Sequence, residues 1–231
     1  LAESLYGLKL TDPDIAREFL PAIRKQELLA GGRIVGFRRY FFMDEPDTGR
    51  LGDPDSVLTM IWDADAVLED LTEIMNDFRY DFVFTFLPQP EQHGHHKAAA
   101  ILALRAAARV TEGKRPVVLG AWMSGLDEDG PILFDGLEGY EESVTVSSTS
   151  SFRFDRSQPL AGNERLNYRI PVNWLISEHK SQGTMQLFVN RGDAEEYWLY
   201  RENPPDAASR AAALFQRIND IGAPSTSTGS N

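Results

Sequence analysis

Cysteine is absent from this 231-residue sequence. That absence excludes disulfides, thiolate nucleophiles and cysteine-based zinc knuckles, so any metal would have to be held by His, Asp or Glu. Histidine is itself scarce, at four residues. Positive charge is in deficit: 23 Lys and Arg stand against 35 Asp and Glu, for a formal net charge of −12. Nucleic acid and anionic lipid are bound through basic surface that neutralises phosphate, so neither is an expected partner. A neutral or weakly polar substrate suits this surface better. No apolar run approaches the ~18 residues of a membrane span. The first residues, LAESLYGLKL, lack the basic flank and apolar segment of a targeting signal. The compartment, cytoplasmic or secreted, is left open by these features.

With 42% hydrophobic and 25% charged residues, the chain reads as an ordinary soluble protein, long enough for one large domain or two small ones. Helical character runs from Asp12 to Leu29, with an interruption expected at Pro21 and a stop at Gly31-Gly32. RIVGFRRYFFM then suggests a strand that finishes at Asp44. After an Asp-, Pro- and Gly-rich loop, Asp63 can cap a helix to about Arg79. Val67, Leu71, Ile74, Met75 and Phe78 fall on one face of it. Phe82 to Leu87 is a short apolar run, as in a strand covered on both faces. HKAAAILALRAAARV is a strong helix former, and Val117 to Trp122 gives another strand.

Farther on, the pattern suggests a Ser/Thr-rich strand over Ser143 to Asp155 and a helix over Pro171 to Ser181. TMQLFV and EEYWLY read as strands joined through Gly192-Asp193, and a last helix covers Ala207 to Asn219. The composition of APSTSTGSN predicts a disordered tail at 223–231. The order strand, helix, strand, helix, strand implies a mostly parallel α/β sheet flanked by helices, with a β-rich C-terminal extension of the same domain, 1–222. Ligands of such sheets bind beyond the carboxyl ends of the strands. Asp44 and the segment EQHGHHK, Glu91 to Lys97, are therefore expected on one functional edge.

Three of the four histidines lie in that segment. Histidines there can bind a metal, shuttle protons or sit in solvent. In His93-x-x-His96, His96 belongs to the first turn of a helix and His93 to the loop facing it, with His95 pointing away. His179 on an apolar helical face reads first as a buried structural histidine, and only second as a ligand. Ser181 and Gln182 can form hydrogen bonds that close the helix end, and Asp44 can cap the next segment. Arg24 and Glu27 can form a solvated pair worth about 0.2 to 0.5 kcal/mol. The Ser147 to Ser151 run is strand and turn rather than a nucleophile.

QHGHHKAAAILALRAA, following RYDFVFTFLP, resembles the second signature of the PIG-L/LmbE-type N-acetylglucosaminyl deacetylases. IRKQELLAGGRIVGFRRYFFMDEPD is similar to that family's Arg-x-x-Glu helix, glycine turn and strand ending in Asp. ISEHKSQGTMQLF resembles its distal His-x-Ser-Gln segment, and GDAEEYWLY the strand after it. The likeness spans about Ala22 to Tyr200. It implies a Rossmann-like domain that binds one Zn2+ and removes an N-acetyl group from an amino sugar or its conjugate. By the same resemblance His96 is the metal ligand and His93 the group that steadies the oxyanion. Arg24 and Asp44 lie near the substrate, while His179, Ser181 and Gln182 support the site. A metal on N and O ligands lowers the pKa of bound water to about 7 and polarises an amide carbonyl.

The family's first signature, a His-Pro-Asp-Asp run that supplies two further zinc ligands and the general base, has no counterpart here. We expect a chain lacking the family's N-terminal strand and helix. An inactive carbohydrate-binding or scaffold protein of the same fold is the alternative. A further reading places a metal on His93, His96, His179 and Asp44 alone. The rim that selects the substrate is expected from Asp127 to Glu142 and Asn163 to Tyr168.

Overall fold

A computed structural model describes residues 2–49, 51–124, 130–160 and 163–222. The expected tail at 223–231 and residues 127–129 of the expected rim lie outside the described residues. In chain order the helices are α1 (Ala2–Tyr6), α2 (Pro13–Ile34), α3 (Pro54–Ser56), α4 (Ala64–Phe78), α5 (Gly94–Arg109), α6 (Arg169–Glu178) and α7 (Ala207–Gly222). The strands are β1 (Phe82–Phe86), β2 (Val117–Ser124), β3 (Phe152–Asp155), β4 (Pro159–Leu160), β5 (Asn163–Asn167) and β6 (Ala194–Leu199). The chain divides into two compact units. One holds the described residues within 1–42, 155–193 and 221–222; the other those within 43–154 and 194–220.

The second unit is an α/β layer structure. Its sheet has the order β1-β2-β6-β3. β1 runs parallel to β2, from Phe82 opposite Val117 to Phe86 opposite Ala121. β6 runs antiparallel to β2, with Leu119 opposite Leu199. The class is α/β as expected, and the sheet is mixed, because the β-rich C-terminal part inserts β6 directly beside β2. Alternation sorts the strand side chains onto two faces. Val118, Trp198 and Tyr200 join Val67, Leu68, Met75, Leu102 and Leu104 from α4 and α5. Val117, Leu119, Tyr197 and Leu199 join Ala207, Ala211 and Phe215 from α7. β1 ends the sheet, and Phe84 and Phe86 stay 50% and 57% exposed, so this strand is not covered on both faces.

Local signals set α4 as expected. The Asp63 carboxylate accepts from the Ala66 N–H at 3.2 Å, and Arg79 ends the helix in the left-handed conformation. The Ser143 to Asp155 stretch becomes regular only at β3. Its hydroxyls satisfy nearby backbone instead: Thr145 donates to the Phe134 carbonyl at 2.7 Å and Ser147 accepts from the Thr149 N–H at 3.3 Å.

The first unit departs further from the sequence pattern. α2 begins at its cap Asp12, whose side chain accepts from the Asp14 and Ile15 N–H groups, and it continues through Pro21 and both glycines. Pro21 removes one helical donor, but its fixed φ is compatible with a helix. Gly31 and Gly32 serve close packing: a side chain at Gly31 would press on Leu175 and His179, and one at Gly32 on the Tyr40 ring. The true stop is Gly36, with φ +80°. Phe37 N–H there bonds the Gly32 carbonyl and Gly36 N–H the Arg33 carbonyl, the paired bonds of a Schellman motif. The expected strand into Asp44 is accordingly replaced by the helix end and irregular chain. TMQLFV, also expected as a strand, forms a 3-10 turn over Met185–Phe188. The cause is a tertiary contact: the Gln186 side-chain amide donates to the Ile176 and His179 carbonyls at 2.9 and 3.1 Å and holds the segment against the end of α6.

Candidate functional site

β1 delivers the chain to the histidine segment. Leu87 is fully buried and its N–H bonds the Ala121 carbonyl at 3.0 Å, which anchors the carboxyl end of the strand. A turn at Gln89–Gln92 follows, and His93 is the N-cap of α5, with no side-chain capping bond. His96 sits in the first turn of the helix, as the sequence suggests. The His93 and His96 rings lie 5.5 Å apart, and Phe86 stacks on His96 at 5.0 Å. Gln92 Oε1 lies 3.0 Å from His96 Nδ1. Partial burial first, then the nearby His93 and His95 rings, hold His96 below the ordinary imidazole range, against an opposing pull from Asp47. The result is an imidazole biased toward its neutral form at the carboxyl end of a parallel strand.

His95 has a job after all. Its Nε2 meets the Thr48 hydroxyl at 3.4 Å and the Thr48 N–H at 3.5 Å, and its ring lies 5.7 Å from Trp62. The Trp62 indole N–H in turn donates to the Pro46 carbonyl at 3.0 Å, and Gly94 N–H donates to the Leu51 carbonyl at 2.5 Å. These bonds fasten the loop that starts at Asp44 onto the beginning of α5. Asp44 itself occupies the left-handed region, φ +56°, which Asp tolerates better than most residues. Gly94 was not singled out by sequence reasoning. A Cβ there would stand 2.5 Å from the Asp53 carbonyl oxygen, so only glycine permits the approach.

In the first unit, Arg24, Ser181 and Gln182 line an open cavity of about 570 Å³ together with Gly183, Thr184 and Leu187. Behind it lies Glu27, which is 3% exposed. Its carboxylate accepts from the Ser181 N–H at 2.6 Å, the Ser181 hydroxyl at 2.7 Å and the Tyr6 hydroxyl at 2.6 Å. Glu27 is therefore no solvated partner of Arg24; it is the anchor of Ser181. Burial, and then the bond to Glu27, push the Tyr6 hydroxyl up to about 12. His179 ends α6, and its Nδ1–H donates to the Leu175 carbonyl at 3.0 Å. The helix end is closed by Gln186 rather than by the side chains of Ser181 and Gln182. One signal could have exposed Glu27: it continues the stripe of Leu20, Ile23 and Gly31 at helical spacing.

Of the residues selected from the sequence, His93 and His96 come together in one unit, and Asp44 belongs to a loop tied to the same helix. Arg24, Ser181 and Gln182 come together in the other, with His179 nearby in sequence. A catalytic zinc takes three protein donors and an open position. The two imidazoles are right in kind, but among the described residues no three His, Asp or Glu side chains group to hold a metal ion. The described residues thus do not build a zinc site, and the self-contained set His93, His96, His179 and Asp44 is not found among them.

A family model described as "PIG-L: GlcNAc-PI de-N-acetylase" matches residues 7–107, somewhat less than half of the chain. No curated protein and no solved structure matches. The matched segment takes in Arg24, Glu27, Asp44, His93 and His96 and ends before His179, Ser181 and Gln182. Over residues 7–107 this chain is PIG-L-like, in agreement with the resemblance carried by its Arg-x-x-Glu helix and its His93-x-x-His96 turn.

Proposed function

We propose that the chain is part of a hydrolase that removes the N-acetyl group from an amino sugar or its conjugate, with Zn2+ as cofactor and His96 as one ligand. The observation that carries this is the turn after β1: within the matched segment it presents His96 beside His93, their rings 5.5 Å apart, at the strand end where such folds bind ligands. His93 would donate to the oxygen that gains negative charge when the acetamide is attacked. Arg24 and Asp44 would contact the sugar, and His179, Ser181 and Gln182 would support the site. The ligand is an N-acetylated sugar or glycoconjugate. Among the described residues no helix is long and apolar enough to cross a membrane.

Acetate release from an N-acetylglucosamine conjugate, measured beside zinc content, tests the proposal. His96→Ala should abolish zinc uptake. His93→Ala should keep the zinc and lower turnover by roughly 10²- to 10³-fold, as loss of one oxyanion donor does. Equal zinc loss in both variants would remove the assigned roles. A second reading, an inactive carbohydrate-binding or scaffold member of the fold, is favoured by the missing third donor among the described residues. It requires no stoichiometric zinc and a ligand affinity unchanged by His96→Ala.

A further inference from the structure

A neutral histidine has two tautomers, and the bond made by one ring nitrogen decides which nitrogen keeps its lone pair. For His96 the partner is the Gln92 side-chain oxygen, 3.0 Å from Nδ1. An amide oxygen only accepts, so Nδ1 carries the proton and Nε2 the lone pair. The turn that holds Gln92 is itself pinned. Its N–H donates to the Gln89 carbonyl at 3.0 Å, and the Lys97 ammonium, on a residue only 4% exposed, donates to the Pro90 carbonyl at 2.9 Å. Phe86, stacked on His96, limits rotation of the ring. The neighbouring histidines are arranged differently: His95 directs Nε2 at Thr48, and His93 makes no capping bond.

We propose that Gln92 is a positioning residue that locks His96 in the Nδ1–H tautomer and so presents Nε2 as its working nitrogen. Its value to the protein rests on the reading of His96 as a metal-facing histidine, since ligating imidazoles are commonly oriented through their second nitrogen. The tautomer itself is a property of the metal-free chain. Gln92 directly precedes the N-cap, and the turn closed by its N–H bond to the Gln89 carbonyl brings its side chain to His96 in the first turn of α5.

Long-range ¹H–¹⁵N spectra of the metal-free protein, taken above the imidazole titration range, read the tautomer directly. His96 should show a protonated Nδ1 and an unprotonated Nε2. Gln92→Leu should move it to a mixture or to Nε2–H, and Gln92→Glu, which retains an acceptor oxygen, should restore the original pattern. An Nε2–H tautomer in the unsubstituted protein, or one unmoved by Gln92→Leu, would overturn the proposal. A tautomer that switches in a protein taking up no zinc would leave Gln92 in its role and remove the zinc reading instead.

Discussion

The turn before α5 and the end of α6 each hold a network of polar side chains, but they are wired over different distances. Around His96 the partners are close in sequence: Gln92 to His96 spans four positions and Pro90 to Lys97 seven. Around Glu27 they are distant, 154 positions to Ser181 and 21 to Tyr6. A local network shows itself in the sequence as a cluster, and three histidines in four positions draw attention. A long-range network leaves one charged residue in a helix, which looks like solvated surface until its partners are known. The two should also fail differently when broken, since Glu27 is buried whereas His96 keeps contact with solvent.

Glu27→Ala should have the largest effect on folding. It leaves the Ser181 N–H, the Ser181 hydroxyl and the Tyr6 hydroxyl without their acceptor. These donors are part-buried, so the low end of ~1–3 kcal/mol for each group left unpaired applies, and a loss of about 3 kcal/mol is expected in urea unfolding. The Tyr6 hydroxyl, now pushed up to about 12, should titrate closer to an ordinary tyrosine, and Glu27→Gln should recover part of the stability. A loss below ~1 kcal/mol would show that the long-range network is not what holds Ser181.

Gly94→Ala comes next, because the turn before α5 also packs on a loop distant in sequence. The added Cβ would face the Asp53 carbonyl at 2.5 Å and the Leu51 carbonyl at 3.1 Å. Backbone cannot yield as a flexible side chain does, so a cost of about 1–3 kcal/mol is expected, read as a lower melting temperature. A neutral result would mean that the loop through Leu51 and Asp53 shifts freely.

What could be read from the sequence divides along the same line. The cap and face of α4, the strands β1, β2 and β6, and the placement of His93 at the cap and His96 in the first turn depend on neighbours in sequence, and all are legible. The course of α2 through Pro21, the packing role of Gly31 and Gly32, the burial of Glu27 and the need for glycine at 94 depend on atoms brought in from elsewhere. Periodicity carries no record of those atoms; for Glu27 it marks the inward face of the helix and says nothing of Ser181 or Tyr6. TMQLFV shows the same limit: its apolar character suits a strand, yet the Gln186 amide finds two carbonyls at the end of α6 and the segment turns.

His95→Ala tests the weaker fastening of the loop that starts at Asp44. Its bonds to Thr48 are long and exposed, so most of the effect should come from the ring contact with Trp62. A loss of about 1 kcal/mol is expected. Trp62 fluorescence should change in His95→Ala and should show no such change when Trp62 is already Phe.

The smallest effect is the pH response of His96. Its folded-state pKa lies below the ordinary value of 6.5, so in the window just under 6.5 the unfolded chain binds more protons at this residue than the folded chain does. Stability from this group is therefore fully present above 6.5 and is lost as pH falls through that value toward the lowered one. Burial beside Phe86 comes first among the causes and the His93 and His95 rings follow, so His96→Ala should flatten this part of the stability profile. The Glu27→Ala profile should keep its slope there, although the protein as a whole is weaker. If the acid slope survives His96→Ala unchanged, the lowered pKa of His96 is not its source.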